Sequence, residues 1–317
     1  MIVSEGGRPE MQTRETEPAT TSIAFVGFGE VASRLSAAVL ANGGHVSAYD
    51  VLLETHAENL KRRAGDAPIE FGSLASVIAG SAIVLSTVTT DVALRAAAAC
   101  EPHLRPDQTF VDLNATSPTI KRRIGDTIVG SGANFVEGAI LGAIGVTGAR
   151  TRILVCGEKA EPTAQTLTSL GLNVGFYGHE VGRASMFKLL RSVFSKGMEA
   201  LLLETLLAAR RAGVAEDVWH EIVETLEEKP FSEVGANWMR THGTSYARRY
   251  HEIVQVEELL RELGVDPLIT QGTTAFFQRS TRLCLADSFQ TPPAGPEQVL
   301  AALDECLRKG DATQETL

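Results

Sequence analysis

The sequence predicts an α/β protein in which a doubly wound, mostly parallel sheet is followed by a long helix and an all-helical part. Short apolar runs alternate with helical patterns through the first 180 residues. A stretch without proline follows at 182–213, and only helical patterns come after it. Alternation of this kind is typical of a sheet covered by helices on both faces. We therefore expect a disordered tail at 1–21, an α/β domain at 22–180 and a helical domain at 181–317.

The composition is that of a soluble globular protein of about two domains. It has 317 residues, of which 44% are hydrophobic and 21% charged. A formal net charge of -10 without long basic runs argues against nucleic acid or an anionic membrane as partner. No signal peptide or membrane span is indicated, because the N-terminus is polar and no segment reaches about 18 consecutive apolar residues. Four dispersed cysteines suggest neither disulfides nor a metal site, so a cytoplasmic protein is expected.

The first predicted strand, at 22–26, leads into the sequence GFGEVA at 27–32 and a helical pattern at 30–40. A second strand is predicted at 45–49, and Asp50 follows it, about 20 residues after the glycines. Glycines allow the backbone to approach a pyrophosphate at a helix N-terminus, and a carboxylate there binds ribose hydroxyls. The order of these features indicates a Rossmann-type dinucleotide-binding unit.

Further strands and helices continue the alternation. The other predicted strands are 69–71, 82–87, 109–113, 134–139, 152–156 and 174–177. Helices are predicted between most of them, at 73–78, 92–100, 118–129 and 160–170.

The residue after the second strand also bears on the cofactor. Asp50 would repel a 2'-phosphate, and neither Val51 nor Leu52 supplies an arginine to bind one. The sequence therefore favours NAD over NADP. The predicted cofactor contacts in this domain are Gly27, Phe28, Gly29, Glu30, Val31, Asp50, Thr87 and Val88.

The stretch at 182–213 predicts one long helix with apolar residues around more than half of its circumference. Such a helix is expected to be buried on several sides, and in part by a second copy of the chain, so we predict a homodimer. One polar stripe interrupts the apolar surface: Lys188, Ser192, Ser195 and Glu199. Lys188 either extends to solvent beside Glu199 or lies in a cleft, and the pattern alone leaves both readings open.

The remainder of the chain predicts helices throughout. They are placed at 215–226, 231–241, 245–263, 267–285 and 296–307, separated by glycine and proline.

Four segments together resemble the superfamily of 3-hydroxyacid dehydrogenases and 6-phosphogluconate dehydrogenase. They are GFGEVAS at 27–33, VDLNATSP at 111–118, FVEGAILGAIG at 135–145 and GRASMFKLLRS at 182–192. The resemblance implies an NAD(P)-dependent enzyme that oxidises a small hydroxyacid, with Lys188 as general acid/base. It places Asn114 and Ser192 at the substrate, and His251 where the family has a second lysine near the nicotinamide. The C-terminal part resembles a small uncharacterised helical domain found on such NAD domains.

Three positions depart from the superfamily pattern. Ser192 replaces an asparagine, Leu141 a serine and Asn114 another serine. The resemblance therefore argues against the substrates of typical hydroxyisobutyrate and tartronate semialdehyde enzymes. An anionic substrate is still expected, and the candidates to bind its carboxylate are Arg191, Arg248 and Arg249.

Three other functions stay open at this point. An oxidative decarboxylase of phosphogluconate type is disfavoured by the short C-terminal part, which lacks a run of basic and hydroxyl residues. An imine reductase is disfavoured because that group usually replaces the lysine kept here as Lys188. A non-catalytic NAD-binding protein would have no need of a lysine in an apolar helix.

Overall fold

The computed structural model of the protein describes residues 21–314, with side chains described to residue 309. The tail predicted at 1–21 therefore lies outside the described residues, apart from Thr21. The chain divides into two compact units, the first ending at Arg191 and the second beginning at Ser192. A single long helix, α8 (Arg183–Ala212), continues through this division. No helix in the described residues is long and apolar enough to cross a membrane.

The first unit contains an eight-stranded sheet in the order β3-β2-β1-β4-β5-β6-β7-β8. All neighbouring strands are parallel except β6 and β7, which are antiparallel, so the predicted mostly parallel sheet is confirmed. The strands are β1 (Ser22–Val26), β2 (His45–Tyr49), β3 (Glu70–Phe71), β4 (Ile83–Ser86), β5 (Thr109–Asp112), β6 (Asn134–Leu141), β7 (Arg152–Cys156) and β8 (Val174–Gly178).

Helices cover both faces of the sheet. They are α1 (Glu30–Ala41), α2 (Ala57–Ala64), α3 (Leu74–Ala79), α4 (Ala93–Cys100), α5 (Pro118–Val129), α6 (Ile144–Thr147) and α7 (Ala160–Ser169). Side chains alternate along β1, so Ile23 and Phe25 belong to one apolar cluster while Ala24 and Val26 belong to another. The uninterrupted apolar run of β1 is therefore explained by burial on both faces.

Helix α2 was not among the helices predicted from the sequence. It has eight residues, AENLKRRA, and Leu60 is its only buried one. One buried apolar residue produces no detectable periodicity, which is why the pattern gave no signal.

The second unit is helical, as predicted. Besides the C-terminal part of α8 it contains α9 (Ala215–Glu227), α10 (Phe231–Glu262), α11 (Leu268–Arg282) and α12 (Pro296–Gln314). The prediction of two helices at 231–241 and 245–263 was wrong, since α10 is continuous. Gly243 is buried within it, and a Cβ at this position would lie 2.8 Å from Pro293 Cγ and 3.1 Å from Val299 Cγ2. Here glycine permits close packing and does not end the helix.

The apolar surface of α8 is less covered than the sequence suggested. In the single chain Val193 is 73% exposed and Leu190 65% exposed. Other large apolar side chains of the helix are also exposed, namely Met186, Leu189, Phe194, Leu201, Leu203 and Leu207. The expectation of burial on several sides is therefore not met within one chain.

Candidate cofactor and active site

Several predicted functional residues of the first unit come directly after strand residues that lie side by side in one row across the sheet. Tyr49 pairs with Val26, Val26 with Ser86, Ser86 with Asp112, and Asp112 with Glu137. The row crosses the carboxyl ends of β2, β1, β4 and β5 and the middle of β6. In an open α/β sheet, ligands bind outside this edge. The residues that directly follow the row are therefore brought to one side of the unit.

The glycine turn after β1 has the geometry that a bound pyrophosphate requires. Gly27 has φ +87°, and a Cβ there would lie 2.7 Å from Val88 Cγ1, so no other residue fits. Thr87 Oγ1 donates a 2.7 Å hydrogen bond to the Gly27 carbonyl and holds the turn against β4. A Cβ built on Gly29 meets no atom within 4 Å. Gly29 thus opens space at the N-terminus of α1, where unpaired N–H groups favour an anion.

Asp50 is attached to this turn. Its Oδ2 accepts a 2.7 Å hydrogen bond from the Phe28 N–H, and its Oδ1 accepts one of 2.9 Å from Leu52 N–H. Each carboxylate oxygen keeps a second lone pair, so the carboxylate remains able to accept bonds from ribose hydroxyls. The Phe28 side chain itself is fully buried and contacts the Phe71 ring edge-on at 5.1 Å.

A cavity of about 810 Å³ opens at this edge. Seven of the eight cofactor contacts predicted in this unit line it: Gly27, Gly29, Glu30, Val31, Asp50, Thr87 and Val88. The eighth, Phe28, contributes its backbone through the bonds to Asp50 and Arg63. The volume suits a nucleotide-sized ligand. Turn, helix terminus, carboxylate and cavity together fit a dinucleotide such as NAD(P).

Asn114 lies just beyond β5 and is held by buried charges. Asp112 accepts a hydrogen bond from Asn114 Nδ2, and Nδ2 also donates to Ser86 Oγ at 2.9 Å. On its other oxygen Asp112 is paired with Lys121, whose Nζ lies 2.7 Å away. Because a carboxylate only accepts hydrogen bonds, Nδ2 must face Asp112. Both N–H groups of the Asn114 amide are then used inside the protein.

Two polar atoms in this segment lack a partner. Asn114 Oδ1 and Thr116 Oγ1 are buried, and no group of the described residues forms a hydrogen bond with either. A buried polar atom left unbonded costs about 1–3 kcal/mol, so such atoms are uncommon outside functional sites. What Asn114 offers here is an acceptor, whereas the superfamily serine that it replaces is also a donor. Thr116 was not identified from the sequence.

Glu137 fixes the start of the long helix. Its carboxylate is fully buried and accepts hydrogen bonds from Gly182 N–H and from Ser185 N–H at 2.7 Å. An acidic group at a helix N-terminus satisfies unpaired N–H groups and interacts favourably with the helix dipole. Lys188 lies one turn after Ser185 and is half-buried. The helix that carries Lys188 therefore begins beside the middle of β6, level with the last residue of β5.

The other predicted site residues lie in the second unit or at its border. Ser192 is half-buried, and His251 is exposed on α10. Arg248 forms an exposed pair with Glu252, and Arg249 donates a 2.8 Å hydrogen bond to Thr241 Oγ1. Since they belong to a different unit from the cavity, the roles of Ser192 and His251 stay predictions.

Sequence reasoning also missed two arginines. Arg63 of α2 and Arg95 of α4 both line the cavity. The sequence could have indicated only Arg95, because it lies on a helix that was predicted at 92–100. Arg63 could not be placed near the cavity, because it lies on the short helix α2, which gave no periodic pattern.

The glycine turn, Asp50 and the sheet order define a dinucleotide-binding protein of the Rossmann class. Its family is shown by comparison with known proteins. Residues 22–178 match the NAD binding domain of 6-phosphogluconate dehydrogenase, and residues 209–280 match the Domain of unknown function (DUF1932). The chain belongs to this family of NAD(P)-dependent oxidoreductases, whose fold is 3-hydroxyacid dehydrogenase-like.

Individual relatives agree with this assignment. One solved structure is that of a conserved protein of unknown function, described as structurally similar to 3-hydroxyacid dehydrogenases, and it is 33% identical to this chain. The match covers 84% of this chain and 99% of that one, with a TM-score of 0.57. An uncharacterised 28.5 kDa protein of Methanothermus fervidus is 28% identical over 257 residues, or 81% and 97% of the two chains. An imine reductase from Myxococcus stipitatus, solved with NADP+, is 16% identical over 88% and 98%, with a TM-score of 0.70. That last likeness concerns the fold alone.

Proposed function

We propose that the protein oxidises a small hydroxyacid at its CH–OH carbon, using NAD in preference to NADP, with Lys188 as the general acid/base. The observation that carries this proposal is the attachment of the Lys188 helix, through Glu137, to the same sheet edge that bears the cofactor cavity. Lysine is one of the side chains that serve as general acid or base, and Lys188 is half-buried in this helix.

NAD(P)+ held in the cavity would supply the hydride acceptor for oxidation at the carbinol carbon. Neutral Lys188 would take the proton of the same carbon's hydroxyl group. Ser192, one helical turn further on, would donate a hydrogen bond to a substrate oxygen.

Asn114 has a narrower role than the sequence suggested. Its amide N–H groups are used by Ser86 and Asp112, so it can only accept a hydrogen bond. It is therefore unsuited to a carboxylate, and the single proton of the reacting hydroxyl goes to Lys188. We expect Asn114 to accept from a second hydroxyl or amino group of the ligand, and an arginine to bind the carboxylate.

The test is a screen of hydroxyacids and semialdehydes for NADH formation or consumption by the purified protein, followed by Lys188→Met. Cofactor binding should persist in the variant, because the residues that hold the cofactor lie elsewhere, while kcat should fall about 10²- to 10⁴-fold. Lys196→Met is the matched control, since Lys196 lies two turns further along the same helix and is exposed. A kcat for Lys188→Met within a few-fold of wild type would refute the assignment.

Reduction of a C=N bond is the second candidate. It is favoured by the fold similarity to an imine reductase that was solved with NADP+. The same screen should therefore include cyclic imines with NADPH. Imine turnover without hydroxyacid turnover would replace the first proposal with the second.

A homodimer is part of the same proposal. Val193 and Leu190 belong to a large exposed apolar surface on α8, and surfaces of that kind usually mark an interface. A second copy of the chain would cover it.

A further inference from the structure

Helix α2 carries three consecutive basic residues, and they differ in what they contact. Lys61 pairs with Glu58 of the same helix at 3.1 Å. Arg62 donates a 2.7 Å hydrogen bond to Asn59, also within the helix. Arg63 instead reaches out of the helix and donates a 3.2 Å hydrogen bond to the Phe28 carbonyl in the glycine turn. Of the three, only Arg63 lines the cofactor cavity.

Arg63 stands beside the residue expected to hold the adenosine ribose. The Phe28 N–H donates to Asp50 and the Phe28 carbonyl accepts from Arg63, so a carboxylate and a guanidinium contact one residue of the turn. Within the described residues no carboxylate forms an ion pair with Arg63, and its one hydrogen bond leaves several guanidinium N–H groups unused. The cavity is therefore lined by a positive group, Arg63, and a negative group, Asp50, that both contact the backbone of Phe28.

These two groups distinguish the two nicotinamide cofactors at the ribose 2' position. A 2'-hydroxyl donates a hydrogen bond to a carboxylate, which suits Asp50. A 2'-phosphate is repelled by Asp50 and is matched by the planar, forked donors of a guanidinium. We propose that Arg63 binds the 2'-phosphate of NADP(H), so that the site accepts both cofactors and the opposing charges of Asp50 and Arg63 set the preference between them.

Arg95 provides a contrast within the same cavity. It also lines the wall, but it comes from α4. A general attraction of anions to the cavity would involve Arg95 as much as Arg63. Recognition of the 2'-phosphate would depend on Arg63 alone.

The experiment measures binding to the full chain and needs no substrate, so it is independent of whether the proposed hydroxyacid activity is found. The probes are 5'-AMP and 2',5'-ADP, which differ by one 2'-phosphate, and then NADH and NADPH. Calorimetry is run on wild type, Arg63→Gln, Arg62→Gln and Arg95→Gln. Arg62→Gln is the matched control, because it removes the adjacent exposed charge from the same helix.

Arg63→Gln should weaken 2',5'-ADP and NADPH by about fivefold to twentyfold and leave 5'-AMP and NADH within about twofold. Arg62→Gln should change none of the four, and Arg95→Gln should not alter the ratio between 2',5'-ADP and 5'-AMP. Arg63→Lys should recover part of the NADPH affinity, because it restores the charge without the forked geometry. Equal losses for all four ligands would mean that Arg63 only supports the glycine turn. That result, or no loss for any ligand, would overturn the proposal.

Discussion

Lys121 and Asp112 form a buried ion pair in the first unit, and removing one partner should destabilise the fold. Lys121 is completely buried in α5, and its ammonium contacts Asp112 Oδ2 and the Asp112 carbonyl at 2.7 Å and the Gly138 carbonyl at 3.0 Å. Lys121→Met keeps an unbranched side chain that is one atom shorter, and it removes the charge and three hydrogen bonds. It leaves Asp112 as a buried carboxylate without its counterion.

The expected loss follows from this geometry. Removing one partner of a buried ion pair typically costs about 3–5 kcal/mol of unfolding free energy, because the remaining charge stays desolvated. For a unit of this size that corresponds to a fall in Tm of roughly 6–20 °C. The control is Lys61→Met, which breaks the exposed pair with Glu58 and should cost less than about 1 kcal/mol.

The assay must report on the first unit. Both tryptophans, Trp219 and Trp238, belong to the second unit, so tryptophan fluorescence would follow the wrong transition. Scanning calorimetry and circular dichroism follow both units. The double variant Lys121→Met with Asp112→Asn removes both charges and should be more stable than Lys121→Met alone. A Lys121→Met protein as stable as the Lys61→Met control would refute the reasoning.

Three further predictions concern pH, cofactor and assembly. The pKa of His242 is lowered by burial and by the Arg249 charge, so the second unit should be most stable above about pH 6.5 and lose stability as pH falls below it. Urea unfolding should show a loss of unfolding free energy between pH 7.5 and 5.5 in wild type and in the exposed control His220→Gln, and a smaller loss in His242→Gln. An equal loss in all three proteins would contradict the prediction. Because Asp50 repels a 2'-phosphate, calorimetry should give NADH at least about tenfold tighter binding than NADPH, which equal affinities would disprove. Light scattering at micromolar concentration should give twice the 33.9 kDa chain mass, and a single-chain mass would exclude the homodimer.

The part of the fold that the sequence predicted well is the part governed by local periodicity. β1 begins and ends at the predicted residues because its apolar run, its glycine turn and the following helical pattern all agree. Asp50 was identified for the same reason, since a spacing of about 20 residues after the glycines is a local signal. The mostly parallel sheet followed from the alternation of strands and helices.

What the sequence could not predict depends on contacts between distant residues. From the sequence alone Gly243 indicates the end of a helix. The packing of Pro293 and Val299 against it explains why glycine is found inside a continuous α10. From the sequence alone Lys121 would be placed on the solvent-exposed side of its helix, because lysine is almost never fully buried unless it is paired. Its partner Asp112 lies across a loop and a helix start, where no periodic pattern connects them.

Two buried carboxylates of the sheet hold candidate site residues of the first unit in place. Asp112 and Glu137 are neighbours across β5 and β6, and both are buried carboxylates. Asp112 is neutralised by an ammonium group and orients the amide of Asn114, whereas Glu137 is satisfied by the first N–H groups of α8. A buried carboxylate bonded in this way resists displacement, because moving its partner would leave the charge unpaired. The position of Lys188, one turn beyond Ser185, is thus tied to β6 of the first unit. Under the proposed role of Lys188 as general acid/base, the position of the proton-transfer group would therefore be set by the first unit.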